Sequence, residues 1–487
     1  MERDEAYYEA HAHDVDLNAI TSSDDNKENL RMLRDNNISS LDITVTNAYD
    51  PEVMDFVVRE GDDFGWLGYF IGVSTNLHGF DVEYLPEERE RTNALFKGIS
   101  RNRSIYDLSI KTDLMDNNFV DLGIFLRNNT RLTELHLHDV SIGIQRAGNL
   151  TLGSTSIRSL HFEDTNLDDG GFAVIAASLS KQAHLRSLSL KSNSIGATSC
   201  KTLGEMTSTF ESLYYLDLSN NNIDDTGLEA LVGGLCDSNS LDDLKLSGNR
   251  SITAEGLRTL SALFSSKSCQ LKVLRLNGMN IGDDGAEALV AVLAGNKTLR
   301  HLRFDNNTIT LAGWSAFSRL LGDPSSINNT YLSNHTLESI SDFHYRVHPD
   351  IDNYLQWNGE KSRNLLRYDS RYAPIVPKPQ ITKILYIHRD LDLEPFFQYK
   401  LKFLPMVVDW LQRSAAYFPT AYYFGNPSIE CRQLAAIFKF IRGKPQLVFD
   451  GYWAHTLKET REKKRKLLLQ LDTLNETEKN ALKRVRH

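Results

Sequence analysis

The residues best able to do chemistry sit in two short alternating stretches. In HLH, His136 and His138 flank a leucine; in HFE, His161 and Glu163 flank a phenylalanine. Imidazole nitrogens and a carboxylate bind zinc when they converge on a tetrahedral point at ~2 Å. Side chains alternate along a strand, so each pair shares one face. If the two strands are neighbours, the four groups form a two-by-two block, with Glu134 and Asp139 placed to orient the ligands. Spacing alone does not enforce convergence. The plain expectation is therefore surface histidines without metal, and no cofactor. A second set is cationic: Lys245, Arg275 and Arg303 occupy the same position of three successive, similar stretches. Concentrated there, they would steer an acidic protein segment.

What would position these groups is a repeat. LYYLDLSNNNI, Leu213 to Ile223, has Leu213, Leu216 and Leu218 at its first, fourth and sixth positions, Asn221 at the ninth and Ile223 at the eleventh. The pattern LxxLxLxxNxL fits neither a plain helix nor a plain strand. It describes a short strand and a turn whose backbone the asparagine side chain satisfies. The same register starts at Leu185, Leu241, Leu271 and Leu299, in steps of 28, 28, 30 and 28 residues from Leu185 onward. Weaker copies start at Ile105, Leu132, Ile157 and Ile327, and two poorly formed ones lie near Ile38 and around Val73. After Ile223 and Ile281 come DDTGLEALVGGL and GDDGAEALVAVL, which read as helices N-capped by Asp224 or Asp225 and by Asp283 or Asp284.

A period near 28 residues with a full helix resembles the ribonuclease-inhibitor-type leucine-rich-repeat proteins. The resemblance covers roughly residues 38 to 340 and implies an α/β solenoid, a horseshoe with parallel strands on its concave face and helices on its convex face. GWLGYFIG (Gly65 to Gly72), GWSAFSRLL (Gly313 to Leu321), SSINNTYLSNHTL (Ser325 to Leu337) and LKFLPMVVDW (Leu401 to Trp410) are similar to an uncharacterised family of such proteins in unicellular algae; this implies architecture and no activity.

In that register the third, fifth and seventh positions point away from the leucine core. They place Glu134, His136, His138, His161, Glu163, Lys191, Tyr215, Asp217, Lys245, Arg275, His301, Arg303 and Tyr331 on the concave face, the expected partner-binding surface. Arg158, Arg186, Lys272 and Arg300 lie beside it at second positions.

The remaining chain is read around this array. Residues 1–37 are polar and acidic and predict a disordered tail or loose helix; PEVMDFVVRE (51–60) predicts a short helix. Only about fourteen residues follow Ile142 before Ile157, so the convex layer should be thin there. Residues 341–455 predict a helical cap on the last repeat, and residues 456–487 a charged helical tail.

The formal charge of -10 argues against nucleic acid as main partner. The start is acidic without an apolar run, and no stretch is long and apolar enough to span a bilayer. The four cysteines form no CxxC and read as buried hydrophobes in a reduced compartment. The chain therefore reads as cytoplasmic, with the nucleus as alternative through KKRK, Lys463 to Lys466. HRDL at His388 lacks every other kinase element, and no P-loop, HExxH or GxSxG occurs, so no enzymatic activity or small-molecule substrate is expected. The function expected is a non-catalytic protein-interaction scaffold. The alternative is a regulator of a small GTPase, on the analogy that Ran GTPase-activating proteins share the horseshoe.

Overall fold

The computed structural model describes residues 3–45, 54–153, 156–340, 349–364 and 379–388. Residues 1–366 and 367–487 are two compact units. In the first, strands run Ser40–Thr44 (β1), Asp55–Val57 (β2), Gly79–Val82 (β3), Asp107–Ile110 (β4), Glu134–His138 (β5) and Ser159–Glu163 (β6). They continue with Ser187–Ser189 (β7), Tyr215–Asp217 (β8), Asp243–Lys245 (β9), Val273–Arg275 (β10), His301–Arg303 (β11) and Ser339–Ile340 (β12). All belong to one sheet in the order β12 down to β3, then β1, then β2 at the edge. Among the described residues every pairing in this sheet is parallel, with Leu188, Leu216, Leu244, Leu274 and Leu302 in register across β7 to β11. These leucines are buried. Each contributes about 1.5–3 kcal/mol, but only because its neighbours supply the layers above and below.

The asparagine at position nine explains the turns. Asn221 Nδ2 donates to Leu190 O at 2.8 Å and Leu218 O at 3.1 Å, and its Oδ1 accepts from Ile195 N at 3.0 Å. One amide thus stitches its own repeat to the preceding one. Asn193, Asn249 and Asn307 do the same. The residue just before each of these is in the left-handed region: Ser192, Asn220, Gly248 and Asn306, at φ between 54° and 76°. Asn and Gly tolerate that conformation best.

The convex layer follows the strands: α1 (Glu5–His11), α2 (Asp24–Arg34), α3 (Phe64–Val73), α4 (Arg89–Ile99), α5 (Asp116–Asn128), α6 (Ile144–Ala147), α7 (Asp169–Leu179) and α8 (Ala197–Met206). It continues with α9 (Asp225–Leu235), α10 (Ala254–Ser265), α11 (Gly282–Leu293), α12 (Leu311–Leu321), α13 (Ile327–Leu332) and α14 (Pro349–Asn364). The layer is thin at α6, a single turn. Helices α8 and α9 meet at Gly204 and Gly234, where a methyl group on Gly234 would lie 2.0 Å from the Gly204 carbonyl oxygen.

Asp224 caps α9 through Gly227 N at 2.8 Å, but α11 begins at Gly282 and neither Asp283 nor Asp284 is its N-cap. Asp283 instead accepts from Thr310 N at 2.8 Å and Gly313 N at 3.2 Å, stapling α11 to the start of α12.

Four expectations are corrected. Residues 5–34 are not a loose tail. Leu17, Ile20, Leu30 and Leu33 are buried, and α2 packs on the edge strand β2. Asn26 donates to Val57 O at 2.8 Å and accepts from Val57 N at 3.0 Å, and Asn29 donates to Asp55 O at 2.8 Å. Two amides one helical turn apart thus satisfy backbone that an open edge would leave bare. The polar composition that suggested disorder is this cap. Second, 55–57 is a strand, not part of a helix. Third, the repeat placed around Val73 is α3; its strand is β3, in the register Leu77, Phe80, Val82. Fourth, the copy placed at Ile327 is helix α13, and the last strand follows Leu337.

That last repeat is marked by a signal at its start. Asn334 Oδ1 accepts from Leu337 N at 3.0 Å, as Asn296 Oδ1 does from Leu299 N and Asn129 Oδ1 from Leu132 N. An Asn three residues before the first leucine thus marks the start of these three repeats. Beyond it α14 packs against α12 and β12, burying Ile351, Tyr354 and Leu355. Asn358 there donates to Leu337 O at 2.6 Å.

Of the second unit, one helix is described, α15 (Pro379–Ile387). The rest of the helical cap expected over 341–455, the tail 456–487, KKRK and Cys431 lie outside the described residues. Cys200, Cys236 and Cys269 are free thiols, and burial pushes the Cys200 thiol up to about 12. Among the described residues no helix is long and apolar enough to cross a membrane.

Candidate functional site

Alternate residues of β5 and β6 are buried, and those between them are open, so the third, fifth and seventh positions form the face turned from the core. The fifth-position row, from the N-terminal end, reads Asp42, Asp81, Ser109, His136, His161, Ser189, Asp217, Lys245, Arg275 and Arg303. It is acidic at one end, imidazole in the middle and basic at the other.

In the middle, His136 pairs with His161 and His138 with Glu163, as the two-by-two block requires. The four groups nevertheless do not converge. The His136 and His161 rings meet edge to face, 4.5 Å between centroids. His161 Nε2 is hydrogen-bonded with Ser187 Oγ at 2.8 Å, and Glu163 accepts from Ser189 Oγ at 2.7 Å. His138 turns outward, its Nδ1 3.0 Å from Asp139 and its Nε2 3.6 Å from Asp164. Burial, then the neighbouring His136, pushes the His161 pKa down to about 4. Among the described residues the grouping that could hold a metal is a different one, Asp107, Glu134 and His136, with ligand atoms within 4.8 Å of one another. Asp107 and Glu134 are cross-strand partners.

At the basic end, Lys245, Arg275 and Arg303 are in register on adjacent strands, as the repeat spacing requires. Two of them are neutralised from the preceding strand. Lys245 Nζ lies 3.3 Å from Asp217, donates to Tyr215 Oη at 2.6 Å and sits 4.5 Å over that ring. Tyr215 Oη donates in turn to Asp217 at 3.1 Å. Burial and the Asp217 charge raise the Tyr215 pKa strongly. Arg275 lies 3.3 Å from Asp243. Lys191 lies 3.8 Å from Glu163. His301 is hydrogen-bonded through Nδ1 with Ser339 Oγ at 2.9 Å, and burial lowers its pKa. Tyr331 is not on this face: it lies on α13, 56% exposed, because the strand of that repeat comes later in the chain.

The acidic end was missed by sequence reading. Asp42 pairs with Asp55 on β2 and Asp81 on β3. Lys111 lies 2.6 Å from Asp81 and 3.0 Å from Glu83. Partial burial, then Asp81 and Asp55, pushes the Asp42 carboxyl up to about 6. The Leu77, Phe80, Val82 register was the available signal for Asp81 and Glu83.

Comparison with known proteins agrees with this geometry. The Leucine Rich repeat family model matches residues 181–204, 211–232, 237–261, 267–290 and 295–318. Ribonuclease inhibitor of Mus musculus is 28% identical over 258 residues, 51% of this chain and 56% of that protein. That of Sus scrofa is 28% identical over 244 residues, 48% and 52%. NACHT, LRR and PYD domains-containing protein 5 of Mus musculus is 30% identical over 170 residues, 35% of this chain and 14% of that protein. The chain thus spans about half the length of the ribonuclease inhibitors it matches. An internalin from Listeria monocytogenes overlaps 65% of this chain and 77% of its own, at 16% identity and a TM-score of 0.36. The 28-residue register, the single parallel sheet with its convex helices and the repeat matches show an α/β solenoid of leucine-rich repeats, similar to the ribonuclease inhibitors.

Proposed function

We propose that this protein is a non-catalytic scaffold that takes a protein partner on the concave face. The observation that carries the reading is the face itself: the strands hold polar side chains in register at one strand spacing, roughly 4.8 Å, over the length of the array. Such a surface is broad and varied, which suits a protein more than a small molecule. The matching ribonuclease inhibitors act, by their name, on an enzyme, and a protein ligand for this chain follows by analogy. Acidic, imidazole and basic segments along one row favour a partner with complementary charge order. An acidic partner segment would reach the basic end by exchanging with Asp217 and Asp243. A cytoplasmic setting fits the free thiols. No observation favours the GTPase-regulator alternative.

The test is site-specific photocrosslinking in lysate of the native cell. A photoreactive residue at Ser109 or Asn277, on the concave face, should give a discrete crosslinked partner; one at Glu229, on the convex helix α9, should not. Crosslinks from Glu229 alone would refute concave-face binding.

A further inference from the structure

Several cations on this sheet and beside it are neutralised locally. Lys111 pairs with Asp81 and Glu83, Lys191 with Glu163, Lys245 with Asp217, Arg275 with Asp243, Lys272 with Asp242 and Arg300 with Glu338. Along the row of second positions, where Lys272 and Arg300 are paired, two cations depart from this. Arg158 and Arg186, at the second positions of the β6 and β7 repeats, are exposed and make no ion pair among the described residues. They occupy adjacent rungs, since Arg186 N donates to Arg158 O at 2.8 Å. The next rung is Tyr214, whose N donates to Arg186 O at 3.0 Å and whose side chain is 50% exposed. On the other side, beyond Thr133, stands Tyr106, 47% exposed and stacked on His78 at 5.3 Å between centroids.

We infer that the edge formed by Tyr106, Arg158, Arg186 and Tyr214 docks an acidic segment of a protein partner. This rests on reading the chain as a protein-binding scaffold, and it names that partner's chemistry. Two guanidinium groups carried on adjacent rungs repel when no carboxylate lies between them. A partner carrying two carboxylates at the same spacing removes the repulsion and gains charge-assisted hydrogen bonds. Acidic residues one turn apart on a helix stand about 5–6 Å apart, which matches the rung spacing of roughly 4.8 Å. The flanking tyrosines offer rigid apolar area for the rest of such a helix. A nucleic acid fits less well. It needs a continuous run of cations, whereas Asp107 and Glu134 stand on the neighbouring concave positions and the whole chain carries a formal charge of -10.

The experiment measures fluorescence polarisation with the full chain. The probes are a labelled helical peptide bearing glutamate pairs one turn apart, its lysine counterpart, and a labelled single-stranded oligonucleotide. The glutamate peptide should bind, more weakly as salt rises. The Arg158→Ser/Arg186→Ser double variant should weaken it about tenfold. Lys272→Ser, which removes an already paired cation from the same edge, should change it by less than about threefold. Thermal melts should coincide, since the substituted positions are exposed. No binding of the glutamate peptide, equal binding by wild type and double variant, or an equal loss in Lys272→Ser would overturn the inference. So would tighter, arginine-dependent binding of the oligonucleotide. Photocrosslinking from Asn277 in the double variant separates the two readings: a crosslink that persists while peptide binding is unaffected leaves the scaffold standing and removes only this edge.

Discussion

Asp42→Asn should stabilise this protein at neutral pH. Asp42 faces Asp55 and Asp81 across two strand pairings, and its carboxyl is held at about 6 against an ordinary 3.8. A shift of about two units corresponds to roughly 3 kcal/mol at about 1.4 kcal/mol per unit. Half-burial on an open face screens the charges and reduces this to about 1.5 kcal/mol. The sign follows from proton counting. Between pH 3.8 and about 6 the folded chain holds a proton on Asp42 that the unfolded chain has lost, so stability falls as pH rises through that window. Above it the full cost is present; below it there is none. His161 runs the other way. Its folded pKa of about 4 lies below 6.5, so the unfolded chain binds the extra proton and stability rises across the same range. The two slopes offset each other in the wild type. Asparagine removes one, so the variant should gain about 1.5 kcal/mol at pH 7 and show stability climbing from about pH 4 to about pH 6.5. The assay is urea denaturation across that range, with amide hydrogen exchange of β1 and β3 as the local readout. A variant no more stable than wild type at pH 7, or one whose advantage is undiminished at about pH 4, would refute the electrostatic account.

Two further outcomes concern the core and its edge. Leu216 is about 1% exposed at the centre of the array, and Leu216→Ala should cost roughly 2–5 kcal/mol in a denaturant melt; an unchanged midpoint would mean that the repeat layers do not depend on it. Asn26→Ala should cost about 1–3 kcal/mol by stranding the backbone of Val57, and should raise aggregation by baring the edge of β2, read by light scattering; a variant as stable and as monomeric as wild type would show that α2 is dispensable as a cap.

The central repeats were legible from sequence because their determinants are local and repeated. The leucines at the first, fourth and sixth positions and the asparagine at the ninth recur in each unit, and each unit makes the same contacts with its neighbours. Met279 shows the limit of that logic: it stands where the asparagine should be and cannot stitch its repeat to the preceding one, while Asn307 of the next repeat makes its usual bond, accepting from Met279 N at 2.9 Å. The ends were read less well. Asn26 and Asn29 look like solvated polar residues until β2 is placed beside them, because an amide's role depends on which backbone it meets. The repeat register points Tyr331 to the concave face, but Ile327–Leu332 folds as helix α13 and the strand forms after Leu337. The charges divide in the same way. Sequence placed Lys245, Arg275 and Arg303 in one row, since alternation along a strand is a local property. The pairing of Lys245 and Arg275 with carboxylates on the preceding strand, and its absence at Arg158 and Arg186, depend on rotamers and distances between repeats. Within the regular repeats local spacing therefore determined which face each side chain joins, and only the packed sheet decided which charges are already satisfied.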